Sequence, residues 1–222
     1  LPSSRNPKDV LCDWRMPFST LPAKPTIGFY GGSFDPIHQG HVSLALYAIK
    51  QFSLEKILLC PAFLAPLRKE KPAFSAAHRL AMVDSVTKEN ENLVSFDYEI
   101  RAEKTCYTFE TLQVVRKKFP QHQIILILGD DQIAQIQKWK FHRQLLEEFK
   151  ILVFRRSADP SNLDTIPDSM KENIQILENQ LFPHSSTQIR EHLRLGKDIS
   201  AHIPPPVFKY MKNNRLLDYL YS

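Results

Sequence analysis

Two histidines, His38 and His41, lie three residues apart within the run GGSFDPIHQGH. Residues three apart share one face of a helix, and the start of a helix offers free backbone N–H groups and the positive end of the helix dipole. Two imidazoles beside such N–H groups suit the oxygens of a phosphate chain. A single histidine at a helix start more often caps the helix, and two histidines can bind a metal, but no Cys, Asp or Glu on the same helix completes a metal site.

A short apolar segment precedes the two glycines of this run, and a longer one follows the histidines. Residues 27–30 favour a β-strand, whereas the apolar residues from Gln39 onward follow a helical period. Gly31 and Gly32 permit backbone dihedrals that are closed to other residues and let a ligand approach the backbone. The sequence therefore predicts a strand, a glycine turn and a helix, with both histidines at the start of the helix.

Composition restricts the class of protein. At 222 residues, with 43% hydrophobic and 10% aromatic content, the chain can form one large domain with a sizeable core. A net charge of +5 suits an anionic ligand, but no run of five basic residues marks a nucleic-acid-binding arm. Three cysteines in unrelated contexts indicate neither a disulfide framework nor a zinc site. We expect a cytoplasmic protein with no nucleic-acid or membrane partner.

Beyond an irregular N-terminal extension at residues 1–25, short apolar runs alternate with helical patterns. Strands are predicted at Ile27–Tyr30, Lys56–Cys60, Leu93–Tyr98, Gln123–Leu128, Ile151–Phe154 and Ile174–Leu177. Helices are predicted to begin near Gln39, Ser75, Tyr107, Ser185 and Pro204, with helical pieces on either side of Trp139. The polar stretch 157–172 predicts a loop. This order predicts an α/β fold with a mainly parallel, doubly wound sheet and helices on both faces, whose ligands bind beyond the carboxyl ends of the strands.

A second polar cluster, SSTQIR, occupies residues 185–190. Ser185 and Gln188 have the spacing of a capping box, so a well-started helix explains these two residues. It does not explain Ser186, Thr187 and Arg190. Hydroxyls at a helix N-terminus, with an arginine one turn further on, can bind the outer phosphates of a triphosphate. Taken alone, the cluster fits a cap and a phosphate site equally well.

Together, GGSFDPIHQGH and SSTQIR resemble the two signature motifs of the HxGH nucleotidyltransferase superfamily, which transfers an adenylyl or cytidylyl group from a nucleoside triphosphate. The Lys-Met-Ser-Lys-Ser loop of class I aminoacyl-tRNA synthetases is missing from the sequence. The middle of the chain resembles bacterial nicotinate-nucleotide adenylyltransferases through TCYTFETL at 105–112, GDD at 129–131, Trp139 and VFRR at 153–156. The similarity extends from about Thr26 to Met211.

The resemblance implies a Rossmann-like domain over residues 26–222 that transfers the adenylyl group of ATP, bound with Mg²⁺, to nicotinate mononucleotide. It implies three catalytic residues, which are His38, His41 and Arg190. These three also belong to the implied ATP site, whose other members are Gly31, Gly32, Ser33, Phe34, Gly40, Arg68, Ser185, Ser186, Thr187 and Ile189. The implied acceptor site consists of Tyr107, Thr108, Asp131, Trp139 and Arg156. No metal ligand from the protein is implied.

The sequence departs from the family pattern at four places. Cys106 replaces a serine, Leu67 replaces a histidine, Lys140 replaces an aromatic residue, and Ser157-Ala158 replaces Pro-Gly. Neither phosphate motif is affected. The departures bear on the acceptor pocket rather than on the reaction.

Several alternatives stay open at this point. The acceptor could be the amide mononucleotide or both mononucleotides; phosphopantetheine is disfavoured by the segments around Tyr107 and Trp139. A non-catalytic nucleotide-binding module is a further alternative, and the intact His38, His41 and Arg190 argue against it. Trp139 could be an ordinary core residue, and Asp131 a simple helix cap. The sequence also leaves open whether the chain forms a homo-oligomer.

Overall fold

The computed structural model describes residues 24–68, 70–156, 172–179, 181 and 185–218. The N-terminal extension expected at 1–25 lies outside these residues apart from its last two positions. The loop expected at 157–172 lies outside them apart from its final residue. The fold described below is therefore that of the predicted domain without these segments.

Six strands form one sheet in which every neighbouring pair is parallel. The strands are β1 (Thr26–Gly32), β2 (Lys56–Pro61), β3 (Leu93–Ser95), β4 (Gln123–Gly129), β5 (Lys150–Phe154) and β6 (Ile174–Leu177). Their order is β3-β2-β1-β4-β5-β6, so the winding direction reverses between β1 and β4. The predicted α/β, Rossmann-like sheet is confirmed, and its carboxyl edge at β1 and β4 is where such folds bind ligands.

The helices are α1 (Gln39–Phe52), α2 (Ala76–Thr87), α3 (Tyr98–Ala102), α4 (Thr108–Lys118), α5 (Asp130–Ile133), α6 (His142–Glu148), α7 (Ser186–Arg194) and α8 (Pro205–Asn213), with a 3₁₀ turn at Ile136–Lys138. The strand predicted at 93–98 is too long, because β3 ends at Ser95 and α3 begins at Tyr98. Only residues 93–95 pair with β2, and the Asp97 carboxylate binds Arg101 one turn into α3, which favours the helix.

Two hydrophobic clusters cover the two faces of the sheet. The first packs buried residues of α1, α2, α7 and α8 on one face, and Tyr30 of β1 belongs to it. The second packs α4 and α6 on the other face, and it contains the adjacent Phe29. This alternation follows from the period of two along a strand. No helix in the described ranges is both long and apolar enough to cross a membrane.

Candidate active site at the carboxyl edge of the sheet

A cavity of about 1200 Å³ lies at the carboxyl edge of the sheet. Its walls come from the loops after β1 and β2, the segment before α4, the segment between β4 and α6, the end of β5, and the first turn of α7. Pockets for one small ligand usually span roughly 300–1,000 Å³. This cavity therefore has room for two substrates side by side.

Most residues that the sequence singles out line this cavity. They are Gly31, Gly32, Ser33, Phe34, His38, Gly40, His41, Arg68, Tyr107, Thr108, Asp131, Trp139, Arg156, Ser185, Ser186 and Thr187. Ile189 is not among them, because its fully buried side chain lies in the first core cluster. Its predicted place in the ATP site therefore stays a prediction for its backbone. Arg190 stands next to the cavity, where its guanidinium binds the loop after β1.

The two glycines of the first motif are the last residues of β1. Neither has a positive φ, so the expected unusual dihedrals are not found there; Phe34 takes the left-handed conformation instead, with φ 44°. What the glycines provide is space. A Cβ on Gly31 would come within 3.2 Å of the Phe29 ring, and one on Gly32 within 3.3 Å of the Phe34 ring.

The two histidines are held by hydrogen bonds to the backbone at the start of α1. His38 is the N-cap, and its Nδ1 accepts a hydrogen bond from the Gly40 N–H at 3.1 Å. Nδ1 of His41 accepts one from the His38 N–H at 3.2 Å, and the ring centroids lie 3.7 Å apart. Because Nδ1 accepts in both rings, we assign the proton of each neutral imidazole to Nε2. Each ring thus has an Nε2–H donor.

His41 is held in its neutral form. Burial lowers its pKa well below the usual value, and the neighbouring His38 and the Arg156 guanidinium lower it further. At neutral pH His41 is therefore a hydrogen-bond donor without a charge. A neutral donor at this position can bind a phosphate oxygen without repelling the adjacent imidazole.

Asp35 links the segments around the cavity, a role that the sequence did not reveal. Its carboxylate is 1% exposed and accepts hydrogen bonds from the N–H groups of Ala73 at 3.0 Å and Phe74 at 2.9 Å. The Arg190 guanidinium lies 3.4 Å from the same carboxylate and donates to the Asp35 carbonyl at 2.7 Å. Arg68 lies at 3.9 Å. One side chain thus ties the loop after β1 to the residues before α2 and to α7.

Arg79 of α2 is a second residue that was missed, and it is 1% exposed. Its guanidinium donates to the carbonyls of Ser33 at 2.8 Å, Phe63 at 3.0 Å and Phe74 at 3.2 Å, and also to that of Ala62. These carbonyls belong to the loops after β1 and β2. The one available signal was an arginine among the apolar positions of a predicted helix.

The first turn of α7 docks against the loop after β1. Ser185 caps the helix in the capping box that its spacing predicts. The Ser186 hydroxyl donates to the Pro36 carbonyl at 3.0 Å, and the Thr187 hydroxyl accepts from Arg190 at 3.3 Å. The cluster is thus both a helix cap and part of the cavity wall, which reconciles the two interpretations of this segment.

Aromatic side chains and a lysine form the opposite end of the cavity. Trp139 is half-buried and packs in part against the second core cluster. The Lys140 ammonium lies 4.3 Å from the centre of the Tyr107 ring and 4.9 Å from that of Phe141. Lys140, which departs from the family pattern, thus stacks on these rings through cation–π contacts and brings a positive charge to this end.

Asp131 and Arg156 form an ion pair in the wall between the two ends, with Nη1 and Oδ2 3.2 Å apart. A Cβ on Gly129 would collide with the Asp131 carboxylate and meet Arg156 Nε at 3.0 Å, so a larger residue there would displace the pair from this geometry. The Arg156 guanidinium lies over the Phe154 ring, 5.2 Å from its centre. Both partners of the pair are exposed to the cavity.

Glu99 is a buried carboxyl group in the cavity wall, at 7% exposure. Burial raises its pKa to about 7, although a hydrogen bond from the Thr111 hydroxyl at 2.8 Å opposes the shift. Burial, together with the Glu99 charge, also raises the pKa of the free thiols Cys60 and Cys106, so both stay protonated at neutral pH. This cluster could not be predicted from the sequence, because α3, which carries Glu99, was not predicted.

Comparison with known proteins agrees with this architecture. The sequence model of the cytidylyltransferase-like family matches residues 29–192. A protein of Rhodopirellula baltica named "Probable nicotinate-nucleotide adenylyltransferase" is 33% identical over 197 residues, which cover 86% of this chain and 92% of that protein. A protein of Neisseria meningitidis with the same name is 33% identical over 199 residues, covering 86% and 98% of the two chains.

Solved structures share the fold. That of the Plasmodium falciparum nicotinic acid mononucleotide adenylyltransferase complexed with NaAD superposes with a TM-score of 0.69 at 22% identity, covering 88% of this chain and 98% of that one. The same enzyme complexed with APC gives a TM-score of 0.65 at 21% identity. At these identities the likeness establishes the fold alone.

Replacing Arg79 by lysine tests its structural role. An ammonium group cannot reach the four carbonyls that the guanidinium binds, and buried carbonyls without donors cost about 1–3 kcal/mol each. We expect Arg79→Lys to lower the free energy of unfolding by about 2–4 kcal/mol in urea titrations. The exposed Arg116→Lys, which keeps a charge near Glu148, should change it by less than about 1 kcal/mol. Equal effects of the two variants would contradict this role.

The pKa of Glu99 predicts a pH-dependent stability. Because the folded pKa is about 7 and the unfolded value is about 4.3, the native state keeps a proton that the unfolded chain loses between these pH values. Stability contributed by this residue therefore falls as pH rises from about 4.3 to 7, and is constant above. In urea unfolding, the wild type should lose stability relative to Glu99→Gln over this range. The exposed Glu147→Gln is the control, and a pH-independent difference for Glu99→Gln would refute the prediction.

Proposed function

The chain belongs to the nicotinate-nucleotide adenylyltransferase family, and we propose that it transfers the adenylyl group of ATP to nicotinate mononucleotide, giving deamido-NAD and pyrophosphate. The observation that carries the proposal is the pair of Nε2–H donors of His38 and His41, fixed at the start of α1 in a cavity with room for two nucleotides. An intact pair of this kind also favours an enzyme over a non-catalytic nucleotide-binding module.

The proposed ATP site lies between the starts of α1 and α7. Gly31 and Gly32, with Ser33 and Phe34, supply close backbone contacts, because the two glycines have no side chain to keep a ligand from the backbone. His38 and His41 donate to the α- and β-phosphates. The start of α7, with Ser185, Ser186, Thr187 and the nearby Arg190, receives the β- and γ-phosphates, and Gly40 and Arg68 complete the set. Each of these roles is a proposal supported by the position of the residue beside the cavity.

The proposed reaction is a direct displacement. A phosphate oxygen of the mononucleotide attacks the α-phosphorus of ATP; the new P–O bond forms as the bond to the β-phosphate oxygen breaks, and pyrophosphate leaves with that electron pair. The nucleophile is already anionic, so no protein base and no covalent enzyme intermediate is needed. The chain contributes alignment of the two phosphates and hydrogen bonds to the charge that develops between them.

The proposed acceptor site lies at the aromatic end of the cavity. Trp139 offers a stacking surface for the pyridine ring, and Tyr107 and Thr108 lie near its substituent, with Asp131 and Arg156 on the path towards the α-phosphate. Lys140 adds a positive charge next to Tyr107. A carboxylate gains from this charge more than an amide does, so the structure supports the acid mononucleotide as substrate; the amide is the second candidate.

Magnesium is proposed to enter with ATP. Mg²⁺ is usually bound through substrate phosphates and water rather than by an all-protein cage. Within the described ranges no three His, Cys, Asp or Glu side chains are grouped so as to hold a metal ion. The Asp35 carboxylate is occupied by two N–H groups and Arg190, and Asp131 is paired with Arg156. When bound, the ion would neutralise part of the triphosphate charge, and the residues named above would do the positioning.

The residues from 26 onward are proposed to form one nucleotidyltransferase domain. The described strands belong to a single sheet, and α7 and α8 pack on it together with α1 and α2. In the described residues, the helices that carry the two phosphate motifs therefore pack on one core.

Pyrophosphate release with ATP and Mg²⁺ tests the function. The two mononucleotides would be offered in parallel at equal concentration, with a reaction lacking the acceptor as the blank. We expect release with nicotinate mononucleotide and a clear preference over nicotinamide mononucleotide, because Lys140 favours the carboxylate. Lys140→Gln should reduce that preference. Equal use of both acceptors would identify a dual-specificity enzyme, and release with neither would refute the function.

His41→Asn tests the catalytic role of His41 without removing the helix cap. Asparagine Oδ1 can accept the hydrogen bond that Nδ1 accepts from the His38 N–H, but it supplies no donor at the position of Nε2. Loss of one preorganised donor costs about 2–4 kcal/mol of transition-state stabilisation, so kcat/KM should fall roughly 30- to 1000-fold at unchanged Tm.

A matched control for this variant is His122→Asn at the opposite edge of the sheet, where His122 bonds Glu55 outside the cavity. It should keep wild-type turnover. A His41→Asn enzyme within threefold of wild type would exclude His41 from the reaction.

A further inference from the structure

The hydroxyl group of Tyr30 has no explanation in the roles assigned so far. It is a buried side-chain oxygen without a hydrogen-bond partner among the residues that the structure describes. Tyr30 is 2% exposed overall and immediately precedes Gly31 at the end of β1. Leaving a buried donor unpaired costs free energy, and such groups in native proteins often serve a ligand.

The ring of Tyr30 is fixed by its neighbours. It packs edge-to-face against Phe34, with centroids 5.5 Å apart, and against Phe154 at 5.6 Å. The ring of His41 lies 6.0 Å away on the side of the proposed ATP site. The hydroxyl is therefore held in one place, and a packing role would be served equally well by phenylalanine.

Arg156 is the charged neighbour of the hydroxyl. Its guanidinium acts on the Tyr30 oxygen through its charge and as a hydrogen-bond donor, yet burial dominates and raises the pKa of the phenol to about 12. Because a guanidinium cannot accept a hydrogen bond, the Tyr30 O–H stays protonated and has no acceptor in this contact. The Arg156 side chain is 42% exposed and is held by its ion pair with Asp131. It can move towards an anion in the cavity, whereas the Tyr30 ring cannot.

The position of the hydroxyl identifies the ligand chemistry. The neighbours of Tyr30 are His41, which is assigned to the ATP phosphates, and Arg156, which is assigned to the acceptor. An anionic oxygen attracts a guanidinium and accepts from a hydroxyl at the same time. The groups that meet at this point, if the proposed function is right, are the α-phosphate of ATP and the phosphate of the mononucleotide.

We propose that the Tyr30 hydroxyl donates a hydrogen bond to a phosphoryl oxygen at the reacting centre, and that Arg156 moves onto the same oxygen when substrate binds. Tyr30 is then a substrate-binding residue that lies outside the two phosphate motifs. The inference rests on the proposed function and deepens it, because it places a neutral donor where the attacking and attacked phosphates come together.

Tyr30→Phe removes the hydroxyl alone. Because no side chain accepts this hydrogen in the empty protein, the variant should have a Tm close to or above that of wild type. The rise in Tm caused by ligand should be smaller, and kcat/KM should fall about tenfold or more, the loss expected for a hydrogen bond to a charged group. Tm would be measured by thermal unfolding in three arms: nicotinate mononucleotide alone, a non-hydrolysable ATP analogue alone, and both together.

The arms distinguish the two sources of the oxygen. A reduced shift with the mononucleotide places the hydroxyl on the attacking phosphate, and a reduced shift with the ATP analogue places it on the α-phosphate; either supports the proposal. A lower Tm without ligand, combined with unchanged ligand shifts and turnover within twofold of wild type, would show a structural role and overturn it.

Tyr210→Phe is the matched control. Its hydroxyl lies 2.9 Å from Nδ1 of His78, between α8 and α2 and away from the cavity lining. This variant should lose stability without ligand and keep wild-type turnover and ligand shifts, the reverse of the pattern expected for Tyr30→Phe.

A double variant tests the shared oxygen. If Tyr30 and Arg156 hold one phosphoryl oxygen, the loss in kcat/KM for Tyr30→Phe with Arg156→Lys should be clearly smaller than the product of the two single losses. Losses that multiply would overturn the shared contact. Absence of pyrophosphate release by the wild type would instead refute the proposed function, so the two failures are distinguishable.

Discussion

The site depends on one buried carboxylate. Asp35 accepts two backbone N–H groups and an arginine, and in this way it fixes three segments that are remote in sequence: the loop after β1, the residues before α2, and the start of α7. A buried charge is tolerated only when its hydrogen bonds are satisfied, and here they are. Arg79 of α2 adds to this by donating hydrogen bonds to the backbone carbonyls of two neighbouring loops. The two phosphate motifs therefore have a defined geometry before any nucleotide arrives.

The backbone at the start of α1 determines which nitrogen of each histidine is the hydrogen-bond donor. Both histidines accept at Nδ1 from N–H groups of the same helix start, so the proton of each neutral imidazole is assigned to Nε2. Burial keeps His41 neutral. A phosphate chain thus meets a neutral His41 at the centre and arginines at the margin, which limits the repulsion that a cluster of cations would suffer in the empty protein.

Much of this could be predicted from the sequence, because the signals were local. Short apolar runs indicated the strands, helical periods indicated most helices, and two contiguous motifs indicated the family, which the relatives confirm. The errors lie where distant contacts decide. Helix α3 follows a three-residue edge strand, and Asp35 and Arg79 bind groups 38 and 46 residues away. No local pattern encodes such partners.

The docking of α7 has a consequence for evolution of the sequence. Ser186 and Arg190 fasten this helix to the loop after β1, and the same turn faces the cavity. A ligand that bridges the two segments would add its binding free energy to that of the fold, about 2.7 kcal/mol at a hundredfold excess over Kd. A nucleotide concentration a hundredfold above Kd would keep many variants folded that are too unstable without a ligand. The cellular nucleotide concentration would then determine how many substitutions are tolerated in the contacts between α7 and its neighbours.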